Sequence, residues 1–283
     1  MMCIKRFLFL TTLTTHLLSS DNPYFGGTLL STIPENIPPG KWFLEPYLYT
    51  THQSGTYTPH WSHSSKPQFT SFQIEWEFET GITPWLDIAF YPTFYYTHSS
   101  FLLGDTKLAL GFQLLHQKES YINLRLLLQE SFPTGTYDHL KSLSQVTGSG
   151  TYQTWVSAVL YKTLLPCTFN LSLDYIIPSK VSPHGLSVYS LYSQPTFRPG
   201  QQFNLNLGIE YGITQCTTLG LDIHYQHQNS YRLTPSLEQF SLAPCIEYNP
   251  NPNLGFEAGP WFTIAGRNSP IFTTAVLTAY WQF

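Results

Sequence analysis

The chain is predicted to be all-β, a closed antiparallel barrel of about twelve strands that crosses a lipid bilayer. Three observations predict it. Residues Ile271 to Phe283 alternate strictly, with Leu277, Ala279, Trp281 and Phe283 on one face and Thr274, Thr278, Tyr280 and Gln282 on the other. A period of two with one apolar face suits a strand lying between lipid and water. The connections between such segments alternate in length, short at one end of the molecule and long at the other. Charged residues make up 11% of the chain against about 25% in typical soluble domains, while aromatics reach 16%. Few charges and many rings suit a barrel with interfacial girdles.

In chain order, Lys5 and Arg6 precede an apolar run, Phe7 to Leu18, that gives way to Ser19, Ser20 and Asp21. This pattern predicts a secretory signal peptide over residues 1–20, cleaved near Ser20. The run is too short to span a bilayer as a helix, and no second stretch of about 18 apolar residues follows. Cys3 lies before the run, which argues against a lipoprotein anchor. Residues 21–40, rich in Pro and Gly, read as a periplasmic lead-in or as a plug folded inside the barrel. The barrel itself occupies residues 41–283, with both the N and C termini periplasmic.

Within it the expected strands cover residues 41–50, 68–79, 83–96, 105–116, 119–132, 149–162, 167–178, 201–211, 215–228, 236–248, 252–264 and 270–283, lengths suited to tilted strands. Short turns are expected at Thr80 to Ile82, Gln117 to Lys118, Thr163 to Pro166, Gly212 to Thr214 and Asn249 to Asn251. Long loops are expected at 51–67, 97–104, 133–148 and 179–200, and only the outer turn near Gly266 to Ser269 is short. A soluble sandwich has no reason to sort its loops by parity.

Only one register turns the apolar residues toward lipid. In the second strand Phe72, Ile74, Trp76 and Phe78 face out and Gln73, Glu75, Glu77 and Glu79 face in, since three carboxylates on a lipid face would cost about several kcal/mol. The eighth strand puts Gln202, Asn204, Asn206 and Glu210 inside, and the ninth Asp222, His224 and Gln226. The resulting lumen is acidic: Glu45, Glu75, Glu77, Glu79, Asp87, Asp174, Glu210, Asp222, Glu247 and Glu257 against Lys107 and Arg125. Two readings stand. One is a pore favouring cations or neutral polar solutes; the other is a closed network in which Lys107 and Arg125 pair with neighbouring carboxylates, because a twelve-stranded barrel lies between filled and open sizes.

The closing strand, with Leu277, Ala279, Trp281 and the terminal Phe283, resembles the barrel-insertion signal of bacterial outer-membrane β-barrels. That resemblance implies the bacterial outer membrane as location, and the lipid bilayer and barrel-assembly machinery as partners. The segment from Phe78 to Ala89, Phe-Glu-Thr-Gly-Ile-Thr-Pro-Trp-Leu-Asp-Ile-Ala, resembles the strand, turn and strand of the outer-membrane transporters linked to meta-pathway phenol degradation. Gly104, Asp105 and Thr106, then Pro133, Thr134 and Gly135, then Arg198, Pro199 and Gly200, follow in that family's order. The resemblance implies a barrel that moves or senses small hydrophobic or aromatic molecules. The long loop around Val188 to Tyr192 departs from the family.

The net charge of −4 and the lack of a basic patch give no sign of nucleic-acid binding. His52 with Ser54, and His227 with Ser230, are the nearest hydrolase-like pairs, but neither sits in the His-x-Ser-Asn-Gly run of phospholipase barrels, and no enzyme is expected. His52, His60 and His63 share the first long loop; three histidines in a solvated loop usually bind nothing, so neither metal nor cofactor is expected. Cys216 and Cys245, on adjacent strands near the periplasmic end, are placed for a disulfide, with Cys167 left over. The expected function is a monomeric channel or transporter for small, hydrophobic, aromatic or cationic solutes. The alternative is a structural or adhesive surface protein whose closed barrel displays aromatic loops, from Tyr57 to Trp61 and Val188 to Phe197.

Overall fold

The computed structural model describes residues 22–65, 68–97, 100–136, 147–180, 198–231 and 234–283. The expected signal peptide and the loop from Val188 to Phe197 lie outside the described residues. Twelve antiparallel staves close into a barrel. They are β1 (Trp42–Tyr57), β2 (Phe69–Thr83), β3 (Leu86–Tyr91, resumed after Pro92 as Thr93–Thr97) and β4 (Ser100–Leu103, running on into Thr106–Leu115). Next come β5 (Asn123–Phe132), β6 (Gln153–Leu164), β7 (Cys167–Pro178) and β8 (Gln202–Gly212). The last are β9 (Thr217–Gln228), β10 (Leu237–Asn251), β11 (Leu254–Arg267) and β12 (Pro270–Gln282).

Each stave pairs with its sequence neighbours, and β12 returns to β1, from Phe43 opposite Gln282 to Thr56 opposite Pro270. The ends are tied where the strands begin: Trp42 N donates to Phe283 O at 3.0 Å and Phe283 N to Trp42 O at 2.9 Å. Closure leaves no unpaired edge, which a bilayer interior requires.

The strands fall within a few residues of the expected bounds, and three departures have clear local causes. β1 continues to Tyr57, seven residues past the expected end, because its outer part still pairs with β12 and then with a two-residue return, His63–Ser64. The expected loop 97–104 holds Ser100–Leu103, which pairs with Thr97 to Phe94 and lengthens that hairpin. β5 starts later than expected, at Asn123, because Glu119 and Ser120 fold back onto the His116 carbonyl as a turn.

The alternation divides the wall cleanly. Phe78, Leu128, Ile223, Leu277 and Trp281 are exposed on the outside, while the carboxylates and amides between them are buried. An exposed apolar band over a buried polar interior is the inverse of a soluble protein and matches a barrel solvated by lipid.

Candidate functional site

The lumen has two parts, set by what lies opposite the inward side chains. At the end that carries both barrel termini, residues 22–41 run across the inner wall. Arg125 from β5 is the centre of this part, with its side chain 0% exposed. Its Nη2 donates to Glu79 Oε1 at 2.7 Å and to Asp87 Oδ1 and Oδ2 at 2.7 and 2.8 Å, and Nη1 donates to the Ile33 carbonyl at 2.8 Å. The Ile37 amide donates to Asp87 Oδ2 at 3.3 Å. On the opposite wall Asp222 accepts from Thr28 Oγ1 at 2.6 Å, the Leu30 amide at 3.0 Å and Asn206 Nδ2 at 2.8 Å. Glu210 accepts the Gly27 amide at 3.2 Å, and Asn123 Nδ2 donates to Glu35 at 2.7 Å.

Two wall glycines make room for this segment. A Cβ on Gly81 would collide with the Ile37 and Pro38 carbonyls, and one on Gly208 with Thr28 and Ser31. Inward Gly in a strand marks close approach of a second chain segment.

Toward the long-loop end the lumen opens into a cavity of about 480 Å³ floored by Leu29, Leu30, Ser31 and Thr32. Its walls carry Tyr47, Tyr49, Trp155, Trp261, His224 and Asp174. Glu75 and Lys107 form an ion pair on one of its walls, Nζ to Oε2 at 2.9 Å, with side chains 15% and 25% exposed. Thr93 Oγ1 also donates to Glu75 at 2.9 Å. A neighbouring cavity of about 330 Å³ shares Gln73, Glu75, Lys107 and Trp155 and extends to Thr147, Gly148 and Ser149. Those loop residues are held by Asp105, which accepts from the Gly135 amide at 3.1 Å and from the Ser149 amide and hydroxyl at 2.7 Å. Two of the sequence triplets, Gly104 to Thr106 and Pro133 to Gly135, thus meet at the base of one loop.

Of the candidate lumen residues, the structure brings Glu79, Asp87 and Arg125 into one cluster and Glu75 and Lys107 into another. Glu77 accepts from Tyr91 OH at 3.0 Å, Glu45 from Thr278 Oγ1 at 2.8 Å and Glu247 from Thr218 Oγ1 at 2.6 Å. Glu257 is buried between them and Asp174 is half-buried. His224 packs edge-on against Trp261 with centroids 6.1 Å apart. Missed by sequence reasoning were Tyr47, Tyr49, Trp155 and Trp261, the aromatic lining; for Tyr47, Tyr49 and Trp261 the signal was a period-two spacing from Glu45 and Glu257.

The possible disulfide between Cys216 and Cys245 is not formed. Cys245 lies opposite Gly220, while Cys216 hands its carbonyl to the Asn249 amide four residues along, so the two thiols are free and roughly 13 Å apart along the strand. The hydrolase-like pairs do not form either: His52 Nδ1 meets Thr70 Oγ1 at 3.1 Å, and His227 Nε2 meets Asn229 Oδ1 at 3.2 Å. Trp61, in the aromatic outer loop, stacks on Phe240 with centroids 6.3 Å apart. Among the described residues no group of three His, Cys, Asp or Glu is placed to hold a metal ion.

No family model matches the sequence, and no curated protein does. Solved structures do. An outer-membrane channel from Pseudomonas putida F1 superposes with a TM-score of 0.74 at 15% identity, covering 88% of this chain and 97% of that one. The NanC porin gives 0.55 at 8% identity, covering 83% and 98%. The KdgM porin in complex with disordered oligogalacturonate gives 0.50 at 9% identity, covering 84% and 99%. The fold is therefore that of bacterial outer-membrane barrels, as the exposed apolar band requires.

Proposed function

We propose that the protein is a monomeric channel of the bacterial outer membrane for small solutes, with residues 22–40 acting as a plug at its periplasmic end. The single observation that carries this reading is the cavity above the plug. The other carboxylates of the interior are largely bonded to wall residues or to residues 27–37, but Glu75 and Lys107 remain partly exposed to open space. A display scaffold has no need of a lined cavity.

The lining supports small cationic or uncharged solutes with apolar parts, because its rings offer flat apolar faces and its carboxylates, Glu75, Glu77 and Asp174, outnumber Lys107. The sequence resemblance to transporters of the phenol-degradation pathway points to the same class. NanC and KdgM share the fold at too low an identity to lend a solute.

The test is conductance of the refolded protein in a planar bilayer, with cation and anion permeabilities compared by reversal potential. Discrete steps whose selectivity shifts toward anions in Glu75→Gln are expected, since that change removes one acid from the lining and the ion-pair partner of Lys107. Silence in a barrel shown folded by heat-modifiable gel mobility would sink the open-channel reading in favour of a closed display scaffold.

A further inference from the structure

The wall of the cavity differs in chemistry from one side of the barrel to the other. On β1, Tyr47 and Tyr49 line it with their rings parallel to within 6° and 5.8 Å apart between centroids. Trp261 of β11 packs with them around Leu29 and Val276, and its Nε1 donates to Ser241 Oγ at 2.9 Å, which fixes the indole. Gln73 and Glu75 of β2 stand directly opposite Tyr49 and Tyr47, so the aromatic wall has a polar border.

Halfway round the barrel, centred on β7, the inward residues are of another kind. In register across β6 to β9, Ser157 faces Asp174, Asp174 faces Asn204 and Asn204 faces Gln226, an unbroken row of hydrogen-bonding side chains. The next inward row repeats it, with Ser172 opposite Asn206 and Asn206 opposite His224. Both rows border the cavity of about 480 Å³. Cross-strand neighbours stand about 4.5–5.5 Å apart at Cβ, so adjacent members of a row can bond adjacent hydroxyls of one solute.

The rows are tied to the wall without being used up. Gln202 Nε2 donates to Asn204 Oδ1 at 2.8 Å, and Asn206 Nδ2 to Asp222 Oδ1 at 2.8 Å. An amide carries two N–H groups and a carbonyl with two lone pairs, so capacity remains on each. Among the described residues neither the Gln226 side chain nor Asn206 Oδ1 has a hydrogen-bond partner.

Charge narrows the choice further. Glu75, Glu77 and Asp174 outnumber Lys107, which Glu75 already holds, so a carboxylate or phosphate entering the cavity meets net negative charge. A simple phenol would meet the rings but leave most of the amide rows desolvated and unbonded, which costs affinity. A sugar ring answers both walls: its C–H faces stack on aromatic rings, and the hydroxyls round its edge both donate and accept.

We propose that the cavity is a binding site for small uncharged sugars, stacked on the rings of β1 and β11 and bonded through their hydroxyls to the amide rows of β6 to β9. This narrows the channel reading to one class of solute and rests on that reading for how the sugar enters.

The test is saturation-transfer NMR on the refolded protein in micelles of a sugar-free detergent. Protein aromatic protons are irradiated while glucose, galactose, N-acetylglucosamine and maltose are each titrated as probes. Saturable transfer to the ring C–H protons of at least one sugar is expected. Its affinity should fall about tenfold in Gln226→Leu, which removes an amide, and about tenfold in Tyr49→Leu, which removes a ring. Glucuronate should bind more weakly than the tightest of the four. No saturable transfer from any of them overturns the proposal, as does unchanged affinity in either variant or glucuronate binding as tight as the best neutral sugar. Each variant is first shown folded by heat-modifiable mobility; should Tyr49→Leu not fold, the half-buried Gln226 decides alone. Because binding is read without current, the two readings fail separately. Sugar binding by a protein that passes no ions upholds the site and counts against the open channel; conductance with no sugar bound overturns the site and leaves the channel.

Discussion

Arg125 and Lys107 are cations of the lumen wall, and they do opposite things. Arg125 is wholly buried, shares its guanidinium among Glu79, Asp87 and the Ile33 carbonyl, and joins the wall to residues 22–41. Lys107 has one carboxylate partner, keeps a quarter of its side chain exposed and borders open space. Both sit at inward positions of alternating strands. The difference is what stands opposite: where a chain segment fills the lumen, charge becomes structure, and where nothing fills it, charge remains available to a solute.

The largest effect expected from breaking this contrast is Arg125→Met. It leaves Glu79 and Asp87 buried without their cation and should destabilise the barrel by about 3–5 kcal/mol, read as a lower urea midpoint of the refolded protein. Adding Glu79→Gln and Asp87→Asn should return most of that loss. If the single change is neutral, the terminal half is not held by charge at all.

Next comes removal of residues 22–37. The acids they cover, Glu210, Asp222 and Asp87, would then face water, and conductance in planar bilayers should rise several-fold with a stronger cation preference. Conductance no higher than that of the full chain would mean that the segment does not obstruct the path. A subtler version is Gly208→Val, whose side chain must displace Thr28 and Ser31. Overpacking there should cost about 1–3 kcal/mol and raise conductance part of the way, whereas a collapse of folding would assign the glycine to the wall and not to the segment.

Much of this architecture was legible in the sequence because a bilayer imposes a strict period. Phe72, Ile74, Trp76 and Phe78 against Gln73, Glu75, Glu77 and Glu79 admit one register, and loop parity orders the hairpins. The path of residues 22–40 was not legible, since an irregular segment has no period to read. Its imprint on the wall was present in Gly81 and Gly208, glycines at inward strand positions, which a reading of alternation alone passes over. Pairing across strands was legible only to within a few residues, which is enough to place a strand but not to join Cys216 to Cys245.

The smallest effect on stability is expected from Lys107→Met, and it sharpens the comparison most. The Lys107–Glu75 pair is partly solvated, so its loss should cost up to about 1 kcal/mol, against several for Arg125→Met. Selectivity should nonetheless move, because Glu75 would be left without its counter-charge beside the cavity. The reversal potential should shift toward cations, opposite in sign to the shift expected for Glu75→Gln. Shifts of the same sign in the two variants would mean that both act by deforming the cavity. Opposite shifts at nearly unchanged stability would separate a charge that selects from one that holds the barrel together, on two walls built from the same alternation.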